Sequence, residues 1–494
     1  MILEGTYTYP PDLDPTTQLL LEEATATYSS MDREEIASAV TAEDFRFYWQ
    51  RVNERISSSF SKLHFGHYKA AAWDPDLCNL HAQKLSLCAR NGFPLACWGR
   101  GLTVLLEKIM GNNFVTKLRA ICLFEADFNW WNKLVFAKRM MNFCANRCVI
   151  PDDLFAKKGT QCLDATMTKT FLGDTSKVMH HPIAISEMDF SDCYDRAAHN
   201  VSSIALQAHG IPRNSAAMML TALQTMQFFL RTGFGESSDS YGGTSGDPTM
   251  GFGHGNGAAP PAFAVLSSLV VKAYKRLGHG ANLTSAMLRR VFMLAAVMYV
   301  DDTDLIHWGR DDTMEAGDLI AQVQEEVWDW GMLAQATGGA LKQAKCSVCF
   351  MFYVFRKGKA ILVKIQDLPP AKGEVVIIDK AGVERTHQAH IEIPQPDGSK
   401  CLIPTRETTE ATKMLGVYYA CAGDGSTHCT KMKKAGIKWV DGLISRPLPR
   451  RDAWMSFHLQ LTPKISYGIV AVVYPPKKIE EIFQSVLYKA LPLL

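Results

Sequence analysis

Two adjacent carboxylates, Asp301 and Asp302, stand between two β-like runs. The apolar stretch Val291 to Met298 reaches them through Tyr299-Val300, and Thr303 to Trp308 follows. This pattern predicts a hairpin with acids at its turn. Neighbouring aspartates repel one another and lose solvation beside apolar strands, and divalent cations offset both costs. A solvated acidic turn is the plain alternative. Upstream, Asp189 likewise ends a strand-like run, Ala184 to Met188, before a turn into a helix. Between the two acidic stretches lies Gly251-Phe252-Gly253-His254-Gly255-Asn256-Gly257-Ala258-Ala259-Pro260. It is not a P-loop, because no Gly-Lys-Ser/Thr follows.

In order and content these three stretches resemble the A, B and C motifs of reverse transcriptases, most closely those of non-LTR retrotransposons. The resemblance runs from about Ser57 to the C-terminus and is strongest at Asp189–Arg196, Gly251–Pro260 and Tyr299–Asp302. It implies nucleotide addition to a primer 3′-hydroxyl, in which positioning and charge neutralisation dominate. Two Mg²⁺ ions about 4 Å apart, with Mn²⁺ as an alternative, need carboxylates converging from separate strands. Asp189, Asp301 and Asp302 are the implied metal ligands and catalytic triad.

The same resemblance assigns further roles. Phe190, Tyr194, His254 and Gly255 would contact the incoming nucleotide, Tyr194 excluding a ribose 2′-hydroxyl and the glycines freeing the backbone for close approach. Family members usually have Gln at the position of His254 and Ser-Pro at that of Ala259-Pro260. Lys108 and Arg119 resemble the fingers bases that hold the triphosphate, Arg by paired hydrogen bonds and Lys as a point charge. Lys345 resembles the lysine that donates a proton to departing pyrophosphate, and Leu415-Gly416 the turn that places the primer end. Asp195 matches the second aspartate of RNA-templated RNA polymerases, which keeps that reading open beside a decayed RNA-binding remnant.

The elements that must position these groups imply an α+β right-hand polymerase, with fingers, an antiparallel palm sheet backed by helices, and a partial thumb. The expected segments are an acidic leader over 1–50, an N-terminal extension and fingers over 51–185, a palm over 186–430 with a β-prone insertion at 356–409, and a basic thumb over 431–494. RNA template, DNA primer and deoxynucleotides are the implied partners.

Composition fits this reading. Residues 1–45 carry ten acids against Arg33 alone, a net of −9, so the remainder of this +2 chain carries +11. A polyanion is drawn to that remainder. Residues 431–451 hold seven bases and one acid, Asp441, which suits phosphate contacts. Thirteen scattered cysteines, no uninterrupted apolar span and no basic, apolar N-terminus point to an intracellular protein without a membrane segment. Three local patterns read as structural: Cys346-x-x-Cys349 lies on a strand that points the pair to opposite faces, His64 and His67 lack acidic or thiol partners nearby, and Trp130, Leu134, Ala137 and Met141 recur at helical spacing. The loop Pro151 to Thr160 resembles a template-facing loop as readily as a plain surface one.

Overall fold

The computed structural model describes residues 1–490 except 57–58, 109, 113, 244–247, 286, 288–290, 358, 379–382, 447 and 473. Ser57, where the resemblance begins, and Leu494, where the expected thumb ends, therefore lie outside the described residues. The architecture is α+β with mostly antiparallel sheets. The chain divides into two compact units, each discontinuous in sequence: Met1–Pro151 with Phe190–Arg276 and Met332–Ala340, and Asp152–Asp189 with Leu277–Gly331 and Leu341–Leu494. No helix among the described residues is long and apolar enough to cross a membrane.

In the first unit, strand Arg100–Glu107 pairs antiparallel with Leu118–Leu123 and parallel with Gln227–Thr232, which pairs in turn with Gly235–Tyr241. The expected acidic leader is part of this unit's fold. Helix Pro15–Ser30 starts at Pro15, with Asp14 capping Thr17 N–H, and buries Leu20, Leu21 and Ala24. Its acids meet cations of helix Ala259–Arg276: Arg276 bonds Glu22 and Glu23 at 3.1 and 3.0 Å.

The aromatic segment is helix core, but its face rotates. Lys133–Met140 is π-helical, so Val135, Phe136 and Met140 enter the core with Trp130, Trp131 and Leu134, while Ala137 is exposed and Met141 half-buried. A wider turn carries more residues per unit of rotation than the 3.6 assumed from sequence. His64 and His67 form a reciprocal cap at the start of helix Phe65–Ala71, a structural use for both.

The second unit is built on a five-stranded sheet in the order Thr405–Arg406, Ser347–Met351, Ile183–Asp189, Asp302–Trp308, Ala296–Tyr299. All pairings are antiparallel except that between Val348-Cys349 and Thr405-Arg406. Side chains of alternate residues share a face. Ile183, Ile185, Ile306, Trp308, Val297, Cys349 and Met351 form one apolar core with Ala165 and Leu172 of helix Cys162–Met179.

The apolar run Val291 to Met298 is not one strand. It breaks at Ala295 into Val291–Leu294, paired with Ala281–Thr284, and Ala296–Tyr299. The cause is Asp153, whose buried Oδ1 accepts hydrogen bonds from Ala295 and Ala296 N–H at 2.7 and 3.1 Å. Main-chain bonds Met298 N to Asp153 O and Phe155 N to Met298 O, 2.9 and 2.8 Å, fix the loop alongside. The Pro151–Thr160 segment thus braces the hairpin, and neither sequence reading of it anticipates that.

The insertion folds as successive hairpins, Tyr353–Arg356 with Lys359–Leu362, Gly373–Ile378 with Glu384–Ala389, and Ile391–Pro394 with Lys400–Ile403, rather than one small sheet. The residues after Ser426 form helices around their own core of Val440, Leu461, Ile465, Ile482 and Val486.

Candidate functional site

The strands Ile183–Asp189 and Asp302–Trp308 run antiparallel with Asp189 opposite Asp302, Glu187 opposite Asp304, Ile185 opposite Ile306 and Ile183 opposite Trp308. Directly opposed residues share a face. That face therefore grades from apolar at one end to four carboxylates at the other.

The two acidic rungs are treated differently. At the inner rung, Lys169 of helix Cys162–Met179 has no exposed surface and places Nζ 2.9 Å from Asp304 and 3.7 Å from Glu187. Arg406 pairs with Glu187, and Thr412 Oγ1 donates to Glu187 Oε1 at 2.7 Å. Burial raises the Asp304 carboxyl to about 6 against the pull of Lys169. Burial also works against Glu187, but Arg406 and Lys169 overcome it and hold that carboxyl below its ordinary range.

Among the described residues the outer rung has one direct cation. Lys345, at the end of the short helix Gln343–Lys345, donates from Nζ to Asp189 Oδ2 at 2.7 Å. Asp189 Oδ1 is buried without a hydrogen-bond partner. Desolvation raises the Asp189 carboxyl, Lys345 opposes the rise and Asp301 adds to it. Asp302 is raised for the same first reason, then by Asp301 and Asp189. Partial burial disfavours the Lys345 ammonium, but its bond to Asp189, with Asp301 and Asp302 beyond, holds it above the ordinary lysine range.

Asp301 occupies the turn. Tyr299 pairs with Asp302, leaving Val300-Asp301 as a two-residue loop, and Val300 has φ +62°. Positive φ at the first loop position is the type II′ pattern, which favours glycine, so a β-branched residue there is strained. Strain of this kind persists only where the surroundings enforce it, and it clusters at functional sites.

A cavity of about 930 Å³ opens over the carboxylates and is lined by Asp189, Asp302, Lys345, Lys413, Tyr418 and Lys431. The turn Leu415-Gly416, both residues at positive φ, closes the hairpin Ala411–Met414 with Val417–Ala420, and Tyr467 Oη donates to Leu415 O at 3.0 Å. Along helix Ser426–Ser445, Lys431, Lys434 and Lys438 are exposed at helical spacing, giving one basic stripe.

The remaining expected residues lie in the first unit. Arg119 is exposed opposite Leu106, and Lys108, also exposed, follows two positions beyond it. Phe190 is buried against Phe263, and the Tyr194 ring lies edge-on to His254 at 5.1 Å. His254 Nδ1 donates to Asp195 Oδ2 at 3.1 Å.

The glycine loop needs its glycines for contact with the protein itself. A Cβ on Gly255, at φ +108°, would collide with Cys122 O, and one on Gly251 with the backbone of Tyr194 and Asp195. This packing role stands beside the expectation that the same freedom serves a nucleotide. Cys346 and Cys349 are buried, and no cysteine among the described residues is in a disulfide.

Glu187, Asp304, Lys169 and Arg406 escape sequence reading. Glu187-x-Asp189 and Asp302-x-Asp304 do carry a period-two signal that puts each pair on one face. On the other face of the same strands, His307 Nδ1 donates to Glu326 Oε2 at 2.6 Å and Nε2 lies 2.8 Å from Ser186 Oγ. Hydroxyl, imidazole and carboxylate stand in hydrolase order, yet Ser186 and His307 have no exposed surface, so the trio serves packing.

Among the described residues no three His, Cys, Asp or Glu side chains are grouped closely enough to hold a metal ion. The donor chemistry at the outer rung still suits a hard cation: carboxylate oxygens, one of them buried and unpartnered. No protein-family model matches the chain, and no curated protein matches it.

Proposed function

We propose that this chain is an RNA-directed DNA polymerase of the right-hand type, acting on an RNA template, a DNA primer and deoxynucleotides. The five-stranded sheet corresponds to a palm, the helices after Ser426 to a thumb, and the four-stranded sheet of the first unit to fingers. The observation that carries the reading is the opposed pair Asp189 and Asp302, flanked by the strained Val300-Asp301 turn, in a cavity rimmed by Lys345, Lys413 and Lys431.

Asp189, Asp301 and Asp302 are the residues that would hold Mg²⁺. The bound ions would supply charge neutralisation at the transferring phosphate. Lys345 holds positive charge at Asp189 and carries a proton that a departing pyrophosphate needs. Lys413 and Lys431 supply phosphate-binding charge in the cavity lining. Asp195, the residue that keeps an RNA polymerase in contention, is hydrogen-bonded to His254.

Primer extension on an RNA template with Mg²⁺ tests this, comparing wild type with Asp301→Ala and dNTPs with NTPs. Extension by wild type alone, with dNTPs preferred and Tyr194→Ala relaxing that preference, is the expected result. Equal inactivity of both proteins with RNA binding retained would favour a binding role instead.

A further inference from the structure

Helix Pro75–Asn91 has two apolar faces. One, with Cys78, Ala82, Leu85, Cys88 and Ala89, is buried within the first unit, where the helix packs on Ala42–Trp49 and Arg213–Thr225. The other carries Leu77, Leu80 and Leu87, flanked by Trp73 before the helix and Phe93 after its left-handed cap Gly92. These five are 40%, 60%, 60%, 72% and 72% exposed.

Trp73, Leu77, Leu80, Lys84 and Leu87 alternate steps of four and three, the spacing of a helix seam that packs on another helix. Lys84, the one charge in that seam, is neutralised by Asp127 at 2.7 Å. A contiguous apolar stripe along an exposed helix face marks an interaction site.

Charge identifies the partner. Asp76 lies in the first turn and Arg90 in the last, and among the described residues neither is in an ion pair. A parallel copy of the helix would oppose like charges. An antiparallel copy sets Asp76 against Arg90 twice and also aligns the helix dipoles favourably.

We propose that this face pairs with the same face of a second copy of the chain, antiparallel about a two-fold axis near Gln83. Leu80 of each copy then meets Leu87 of the other, Trp73 meets Phe93, and Asp76 meets Arg90. Each contact occurs twice, as in any isologous dimer.

Sedimentation equilibrium of the full chain in the micromolar range tests the pairing. Wild type is expected to be a dimer, with Leu80→Asp weakening the dimer at least about tenfold, since each copy loses an apolar contact. Arg90→Asp and Asp76→Arg should each weaken it, and the double variant Asp76→Arg/Arg90→Asp should restore it. Because all three positions are exposed, circular dichroism of the variants should match wild type. A monomeric wild type, or a charge-swapped double variant no tighter than its parents, would overturn the proposal.

Discussion

The two acidic rungs on the strands Ile183–Asp189 and Asp302–Trp308 are one residue pair apart and opposite in character. Glu187 and Asp304 are matched by two cations, Lys169 and Arg406, with a hydroxyl satisfying a further oxygen. Among the described residues Asp189 pairs with Lys345 alone, Asp302 is in no ion pair, and Asp189 Oδ1 is left without a partner. A buried carboxylate that is fully paired is structural, because removing either partner leaves an uncompensated charge. One that is incompletely paired beside a cavity has coordination capacity to spare. The comparison teaches that acid-lined sites are read by counting what each oxygen already has.

The largest effect should come from the open rung. Asp301→Ala or Asp189→Asn should lower primer extension at least about a thousandfold, the several kcal/mol that metal-assisted charge stabilisation contributes. The thermal midpoint should stay near wild type, and a coincident collapse of the fold would erase the distinction between the rungs.

The closed rung should show the reverse. Lys169→Met should destabilise the fold by about 3–5 kcal/mol, measured by urea unfolding. The sign with pH follows from Asp304. A carboxyl whose folded pKa exceeds its unfolded value stabilises the fold at low pH and loses that contribution as pH rises through the folded value, here about 6. Removing Lys169 raises that value further, so the penalty should be smaller at pH 5 than at pH 8. A pH-independent penalty would show that Asp304 is not the group left behind.

Lys345→Ala should retain the fold and slow extension about a hundredfold, with the loss falling on the chemical step rather than on template affinity. A change confined to template affinity would make Lys345 a plain phosphate contact. The smallest effect belongs to Val300→Gly. Relief of left-handed strain, offset by the entropy of glycine, should move stability by no more than about 1 kcal/mol while extension slows through a looser turn.

How much of this was legible beforehand depends on the range of the interaction. The turn at Val300-Asp301 and the strand ending at Asp189 follow from local alternation, and the structure has both. The inner rung does not, because Lys169 lies on a helix and Arg406 on a two-residue strand, each far from Glu187 in sequence. Helical spacing finds Trp130 and Leu134 in the core, but the π-helical turn removes Ala137 and admits Phe136. The acidic N-terminus reads as a leader because its surface acids hide Leu20, Leu21 and Ala24, which are buried only once helix Ala259–Arg276 is present.

Asp153 has a further consequence. Because side chains alternate, a strand running unbroken from Val291 would be free to slide by one position against its neighbour. Such a slip would turn every side chain of Ala296–Tyr299 to the opposite face and offset Tyr299 from Asp302 across the acidic turn. By gripping two successive amides at Ala295 and Ala296, one carboxylate remote from the chemistry fixes the frame of the strand that leads into the acidic turn.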